Sequence, residues 1–176
     1  MSLAPNSSLE QRIGLIEDRL AIYNLIALHP PGADTGAGAF LPNFYTEDVV
    51  FDRGPDLGGA VGIANMVAFV ESDEHKAAID GGLAHLGNLP FIELQGDSAF
   101  VTSYVAILAL DHEGKPRELS NHGVSTGYRI HRVLANRWTL VRTEDGWRVK
   151  VRKLFPLDGT PAARELLSGA LATPGL

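Results

Sequence analysis

A change in hydrophobic pattern partway along the chain constrains its fold more than any other feature. Before Gly82 the apolar residues recur at helical steps of three and four. From Leu83 they run in long stretches rich in β-branched and aromatic residues, broken by tight turns. Helices first and long antiparallel strands after is the α+β pattern, and it argues against the strand–helix alternation that builds a parallel sheet.

Ser7-Ser8-Leu9-Glu10 has capping-box spacing, and Leu9, Ile13, Ile16, Leu20, Tyr23 and Ala27 follow as a stripe expected to face the core. Leu15, Ile22 and Ile26 widen that stripe. Pro30-Pro31 is expected to end the helix, because proline lacks an amide donor and restricts His29 before it. Gly32 to Gly38 then reads as a loop or a frayed helix start. Asp48 to Asp52 predicts a short strand, Ile63 to Val70 a helix, and Ser72-Asp73-Glu74 the start of another that stops at Gly81-Gly82. Leu89 to Gln95 and Ala99 to Leu110 form a hairpin about Gly96-Asp97. Val124 to Val133, Arg137 to Thr143 and Trp147 to Phe155 are three further strands, and residues 161–170 a short terminal helix. The expected organisation is one domain over 1–176, with a core at about 8–156 and a helical tail at 157–176.

Composition narrows the class. The chain has 176 residues, 45% of them apolar, and a formal charge of −6, which excludes a disordered chain. The acidic balance argues against a nucleic-acid partner. With no Cys there is no disulfide frame, thiolate nucleophile or Cys-held metal. The first residues lack a signal-peptide pattern and no window reaches the apolar length of a membrane span, so a soluble cytoplasmic protein is expected. Strand 99–110 carries apolar residues on both faces: Val101, Val105 and Ile107 on one, Phe100, Tyr104 and Leu108 on the other. One face can pack on the helices, and a homodimer or larger homo-oligomer would cover the other.

A family resemblance rests on the order of several motifs. A capped helix ending near an acid is followed by Phe44-Tyr45-Thr46-Glu47-Asp48-Val49-Val50-Phe51-Asp52 and then Gly62-Ile63. Next come His85-Leu86-Gly87-Asn88, the Gly96-Asp97 hairpin, and Leu140-Val141-Arg142-Thr143-Glu144-Asp145-Gly146-Trp147-Arg148-Val149. Over roughly residues 8–156 the chain resembles the SnoaL-like group of the nuclear-transport-factor-2-like superfamily, with scytalone dehydratase and polyketide cyclases as relatives. The resemblance implies a cone-shaped, cystatin-like α+β barrel: a curved mixed sheet wrapped around the N-terminal helices, with a pocket inside. It is specific for the fold and not for the reaction.

The resemblance places a general acid/base at His85, and imidazole suits the task because it titrates near neutral pH. It also implies Asp34 as the carboxylate that holds the His85 ring in one tautomer. The structural alternatives are a half-buried histidine at a strand start and a loop or capping Asp. Tyr23, Tyr45 and Tyr104 are candidates to line the pocket with phenols, against simple core packing. Asn88, in His-x-x-Asn spacing with His85, and His122 complete the candidate substrate-binding set. Relatives carry a second His on the strand held here by 99–110, which has none; His122 or His131 is a spatial substitute, with a structural role as the alternative. Gly123-Val124-Ser125-Thr126-Gly127 fits a nucleophile-elbow pattern but lacks the strand-then-helix context. Arg148, Lys150 and Arg152 alternate with Trp147, Val149 and Val151, which reads as a solvated strand face, with a basic stripe for an anionic ligand as the alternative. Parity leaves open whether Arg137 or Trp138 points inward.

Together these features suggest a small lyase or isomerase, of dehydratase or cyclase type, working without cofactor or metal on a hydrophobic carbonyl-bearing ring compound. The alternative is a non-catalytic binding or assembly subunit, such as the small subunit of an aromatic-ring dioxygenase.

Overall fold

A computed structural model describes residues 8–172. Helix α1 (Leu9–Ala27) starts at Ser8, whose hydroxyl accepts from the Gln11 amide while the Gln11 side chain accepts from the Ser8 amide. The capping box is therefore Ser8–Gln11, and Ser7 of the expected box lies outside the described residues. The helix is also rotated from the expected face. Leu9, Ile13, Ile16 and Leu20 are exposed, whereas Ile22 and Ile26 are buried. Apolar residues ring so much of this helix that they leave its rotation open, and polar anchors settle it. Asp18 accepts from Trp147 Nε1 at 3.1 Å and from Arg142 Nη2 at 2.7 Å, and Arg19 donates to the Ile92 carbonyl at 3.0 Å.

The two prolines start a helix and do not stop one. Leu28 links α1 to α2 (His29–Thr35), with Pro30 and Pro31 in its first turn, where their missing amides cost nothing. Gly36, at φ 62°, closes α2 in the left-handed conformation that glycine adopts freely. This short helix carries both His29 and Asp34. A 3₁₀ turn (Gly38–Phe40) and α3 (Leu41–Phe44) lead into strand β1 (Tyr45–Asp52). β2 (Ala60–Val61), α4 (Ile63–Val70), α5 (Asp73–Asp80) and β3 (Leu83–Gly87) follow.

The remaining strands are β4 (Phe91–Gln95), β5 (Ser98–Leu110), β6 (Arg117–Leu119), β7 (Gly123–Ser125), β8 (Tyr128–Thr143) and β9 (Gly146–Pro156). What reads in sequence as two strands, 124–133 and 137–143, is mostly one 16-residue strand, β8, while Val124 and Ser125 belong to the separate β6–β7 hairpin. Seven strands form a curved mixed sheet in the order β2-β1-β9-β8-β5-β3, with β4 also on β5. β1 and β9 run parallel and the other pairs are antiparallel. The inner face, with Val101, Val105, Leu134, Trp138 and Leu140, packs on the helices in one core. Helix α6 (Pro161–Leu171) lies against β8 and β9 and buries Ala163 and Ala170. Among the described residues no helix is long and apolar enough to cross a membrane.

An irregularity in β9 changes which of its residues face inward. Leu140 of β8 lies opposite Val149 and Thr139 opposite Val151, so Lys150 has no opposite number. This bulge resets the alternation of faces. Trp147 and Val149 point inward before it, Arg152 and Leu154 after it. The expectation that Arg152 lies on a solvated face with Arg148 and Lys150 is thus overturned.

Gly32 is the tightest point of α2, because a Cβ built there falls directly on the Phe40 ring. Gly32→Val is expected to cost about 1–3 kcal/mol through overpacking, read as a lowered urea midpoint with an unchanged m-value.

Candidate functional site

Each candidate side chain is positioned by its own element. Asp34 sits near the end of α2, and His85 in the middle of β3, opposite Ile107 of β5. The Asp34 carboxylate takes three hydrogen bonds from one residue. Its Oδ1 accepts from His85 Nδ1 at 2.6 Å, and its two oxygens accept from the His85 amide at 3.1 and 3.0 Å. The amide bonds fix the carboxylate relative to β3, and the ring bond fixes the imidazole. Because a carboxylate only accepts, Nδ1 carries the hydrogen and Nε2 of the neutral ring keeps its lone pair. Nε2 has no partner among the described residues. The ring itself is one wall of a cavity of about 190 Å³.

That cavity is apolar over most of its lining, with Phe40, Phe51, Met66, Phe69, Ile107 and Leu154, and it is polar at a few points. His75 of α5 reaches it after donating from Nε2 to the Ala33 carbonyl at 2.8 Å, which ties α5 to α2. His29, Tyr45, Arg53 and Arg152 line it as well. Arg152 is 4% exposed. Its Nε donates to Asn136 at 3.0 Å and Nη1 to His29 Nε2 at 2.6 Å, while the Tyr45 hydroxyl is a further partner. Its guanidinium is packed against the Trp138 and Phe51 rings, at 4.3 and 4.9 Å from their centroids. The His29 ring stands edge-on to that of His85, 5.7 Å away.

Burial sets the electrostatics. It pulls the His85 pKa below 6.5, and the bonded Asp34 offsets part of that fall; Arg152 adds to it. His29 is pushed well below 6.5 by burial first and by Arg152 second, so it is neutral and accepts from the guanidinium. Burial raises the Tyr45 phenol above its usual value and lowers Arg152 below the usual guanidinium range, with Tyr45 opposing that fall. The arrangement is a neutral imidazole with a free lone pair, a carboxylate behind it, and a buried cation lining the same cavity.

The other candidates divide between two places. Tyr45 shares the cavity with His85, but Tyr23, Tyr104 and Asn88 do not. They line a second cavity of about 450 Å³ on the far side of His29 and Trp138. Asn88 accepts there from the Tyr104 amide at 2.7 Å and so secures the end of β3 to β5. His122 is exposed on the β6–β7 hairpin, bonded to the Ser120 carbonyl, and lines neither cavity. His131 is exposed on β8. Of the undecided pair, Trp138 points inward and donates to Ser103, while Arg137 pairs with Glu93 and Thr102. After Ser125 the chain enters strand β8, so the elbow pattern has no elbow. His29 escaped the sequence reading behind a supposed proline stop, and Arg152 was placed on the solvated face because a bulge hid its inward turn. The signal for His29 was available: prolines directly after a polar residue are as compatible with a helix start as with a helix end.

Comparison with known proteins agrees with this architecture. The sequence profile of the SnoaL-like domain matches residues 15–153. An NTF2-like protein with a cystatin-like fold from Novosphingobium aromaticivorans is 32% identical, over 93% of this chain and 99% of that one, with a TM-score of 0.79. A second structure from that organism, of a protein proposed to be an aromatic ring hydroxylase, is 25% identical over 81% of this chain and 90% of that one, with a TM-score of 0.56. A third, proposed to be a scytalone dehydratase, is 20% identical over 83% and 87%, with a TM-score of 0.58, which is a likeness of fold alone. No curated protein matches.

Two measurements test the electrostatics. In an NMR titration of the His85 ring, Asp34→Asn should lower the pKa further, since the carboxylate is what raises it. In chemical denaturation, stability should be full above about pH 6.5 and fall with acidification below it. There the unfolded chain binds protons that buried His29 and His85 refuse. The slope is at most about 1.4 kcal/mol per pH unit for each histidine.

Proposed function

The chain belongs to the SnoaL-like family, and from the site it builds we propose a proton-transfer enzyme of lyase or isomerase type. Its substrate is a small hydrophobic compound with an acidic C–H next to a carbonyl. The observation that carries this reading is the 2.6 Å bond from His85 Nδ1 to Asp34, which leaves Nε2 free at the wall of an apolar cavity. A proton taken by Nε2 gives an imidazolium that Asp34 stabilises without accepting the proton itself. The same proton can then be returned to another carbon or to a leaving hydroxyl, the first outcome an isomerisation and the second a dehydration. The depressed pKa keeps the ring neutral, and therefore basic, at pH 7. An apolar lining raises the strength of each polar contact made with the developing enolate. No cofactor or metal is part of the scheme.

A second reading is supported by the other side of the sheet. Phe91, Tyr104 and Val133 are exposed there, at 37%, 42% and 38%, and a binding or assembly subunit would cover them with a second copy or a larger partner. In that case the His85–Asp34 bonds serve only to dock α2 on β3. A homodimer fits either reading.

Deuterium exchange separates the two. Small cyclic ketones and enones incubated with the protein in D₂O are expected to gain deuterium at the α-carbon, followed by mass spectrometry. His85→Gln should slow this by about 10²–10⁴-fold, with Asp34→Asn intermediate. Exchange that is absent in wild type, or unchanged in His85→Gln, would remove the acid–base reading and leave the subunit.

A further inference from the structure

Buried arginines are held almost always by a carboxylate, because a lone cation taken out of water is costly. Arg152 is buried and has none among the described residues. Its partners are the Asn136 carbonyl oxygen, the neutral His29 ring and the Tyr45 hydroxyl, all uncharged. A guanidinium offers five N–H donors in a planar fork; three partners leave at least two donors over. The Trp138 and Phe51 rings cover parts of its surface that hydrogen bonds do not. What adjoins it otherwise is the cavity.

A second cation reinforces the first. Arg53 lines the same cavity, stacks on Phe69 at 4.6 Å, and donates to the Leu57 and Gly58 carbonyls. It too has no carboxylate partner among the described residues. Arg53 and Arg152 are close enough to repel, an arrangement that an anion between or beside them would relieve. Asp34 does not line the cavity and is committed to His85.

We infer that the Arg152 guanidinium, with Tyr45 and Arg53 lining the same cavity, receives a carboxylate carried by the substrate. The inference rests on the reading that the substrate occupies this cavity, and it adds what that substrate must bear. A planar carboxylate matches the fork of Arg152 with two parallel bonds, which a single carbonyl oxygen cannot do. The rest of the ligand is compact and apolar. A dry cavity of about 150 Å³ is enough for benzene, and the 190 Å³ here fits a single ring with a short acidic arm. Bound this way the acid is neutralised at Arg152, and the remainder of the molecule occupies the cavity that His85 also lines. Arg152 is thus a specificity-determining residue, distinct from the base.

The test compares benzoate with benzamide, which have nearly the same shape and differ in charge. Binding is followed by calorimetry and by the indole N–H NMR signals of the two tryptophans. Trp138 packs on Arg152, whereas Trp147 is bonded to Asp18 near α1. Benzoate should shift the Trp138 signal and not that of Trp147, and bind at least about tenfold more tightly than benzamide. Arg152→Gln and Arg152→Met should both abolish the preference, the second serving if the first does not fold. Lys153→Gln, an exposed neighbour on the same strand, should keep it. Equal affinity for the two ligands in wild type, or a preference that survives loss of Arg152, overturns the inference. Deuterium exchange without a carboxylate preference would remove this inference and leave the acid–base reading. Carboxylate binding at Trp138 without exchange would do the reverse.

Discussion

Strand β9 pairs with β8 on one side and with β1 on the other, so the extra residue it carries at Lys150 is felt across the middle of the sheet. Before the bulge the inward positions are Trp147 and Val149, which help to close the core against α1. After it they are Arg152 and Leu154, which face the cavity. Strict alternation from Trp147 would have put Val151 and Lys153 inward and left Arg152 in water. With the bulge, the fold must house a guanidinium, and its surroundings follow from that need. Asn136 from β8, Tyr45 from β1, His29 from α2 and the Trp138 ring all converge on this one group. Four elements are thereby held in register by a charge that could not be buried without them.

The cavity that results brings unlike charges together. A carboxylate lies behind the histidine that it orients, and two arginines with uncharged partners line the same space. Solvent would screen such an arrangement; an apolar lining preserves it. Neutral His29 accepts from Arg152 and stands edge-on to His85, so one ring links the two groups. The second cavity is lined by Tyr23, Asn88 and Tyr104 but by neither arginine and not by Asp34. The position of the charges, more than cavity size, singles out the smaller space.

Much of the architecture was legible in the sequence because it depends on periodicity. The helices at 9–27, 63–70 and 73–80, the β4–β5 hairpin and the final strand all announce themselves through spacing and turn residues. The proximity of His85 and Asp34 was reached only through family resemblance, since 51 residues separate them and no local pattern links a helix end to a strand. What the pattern misread shares a physical cause. The prolines of α2 satisfy the rules for a start and for a stop equally well. The apolar residues of α1 extend around too much of it to say which face is buried, and salt-bridging and hydrogen-bonding residues on the less apolar side decided. A bulge leaves no compositional mark at all.

By itself, then, the amino-acid sequence determined the class of fold, the order and extent of most elements, and the residue types available for acid–base chemistry. These follow from local propensity and from the match of hydrophobic period to helix or strand. Tertiary structure alone decided which tyrosine joins the histidine, that His29 rather than His122 is the second ring of the site, and that Arg152 is inside. Each of these depends on register between strands distant in sequence. A shift of one residue in that register moves a side chain from water to core without altering any local preference.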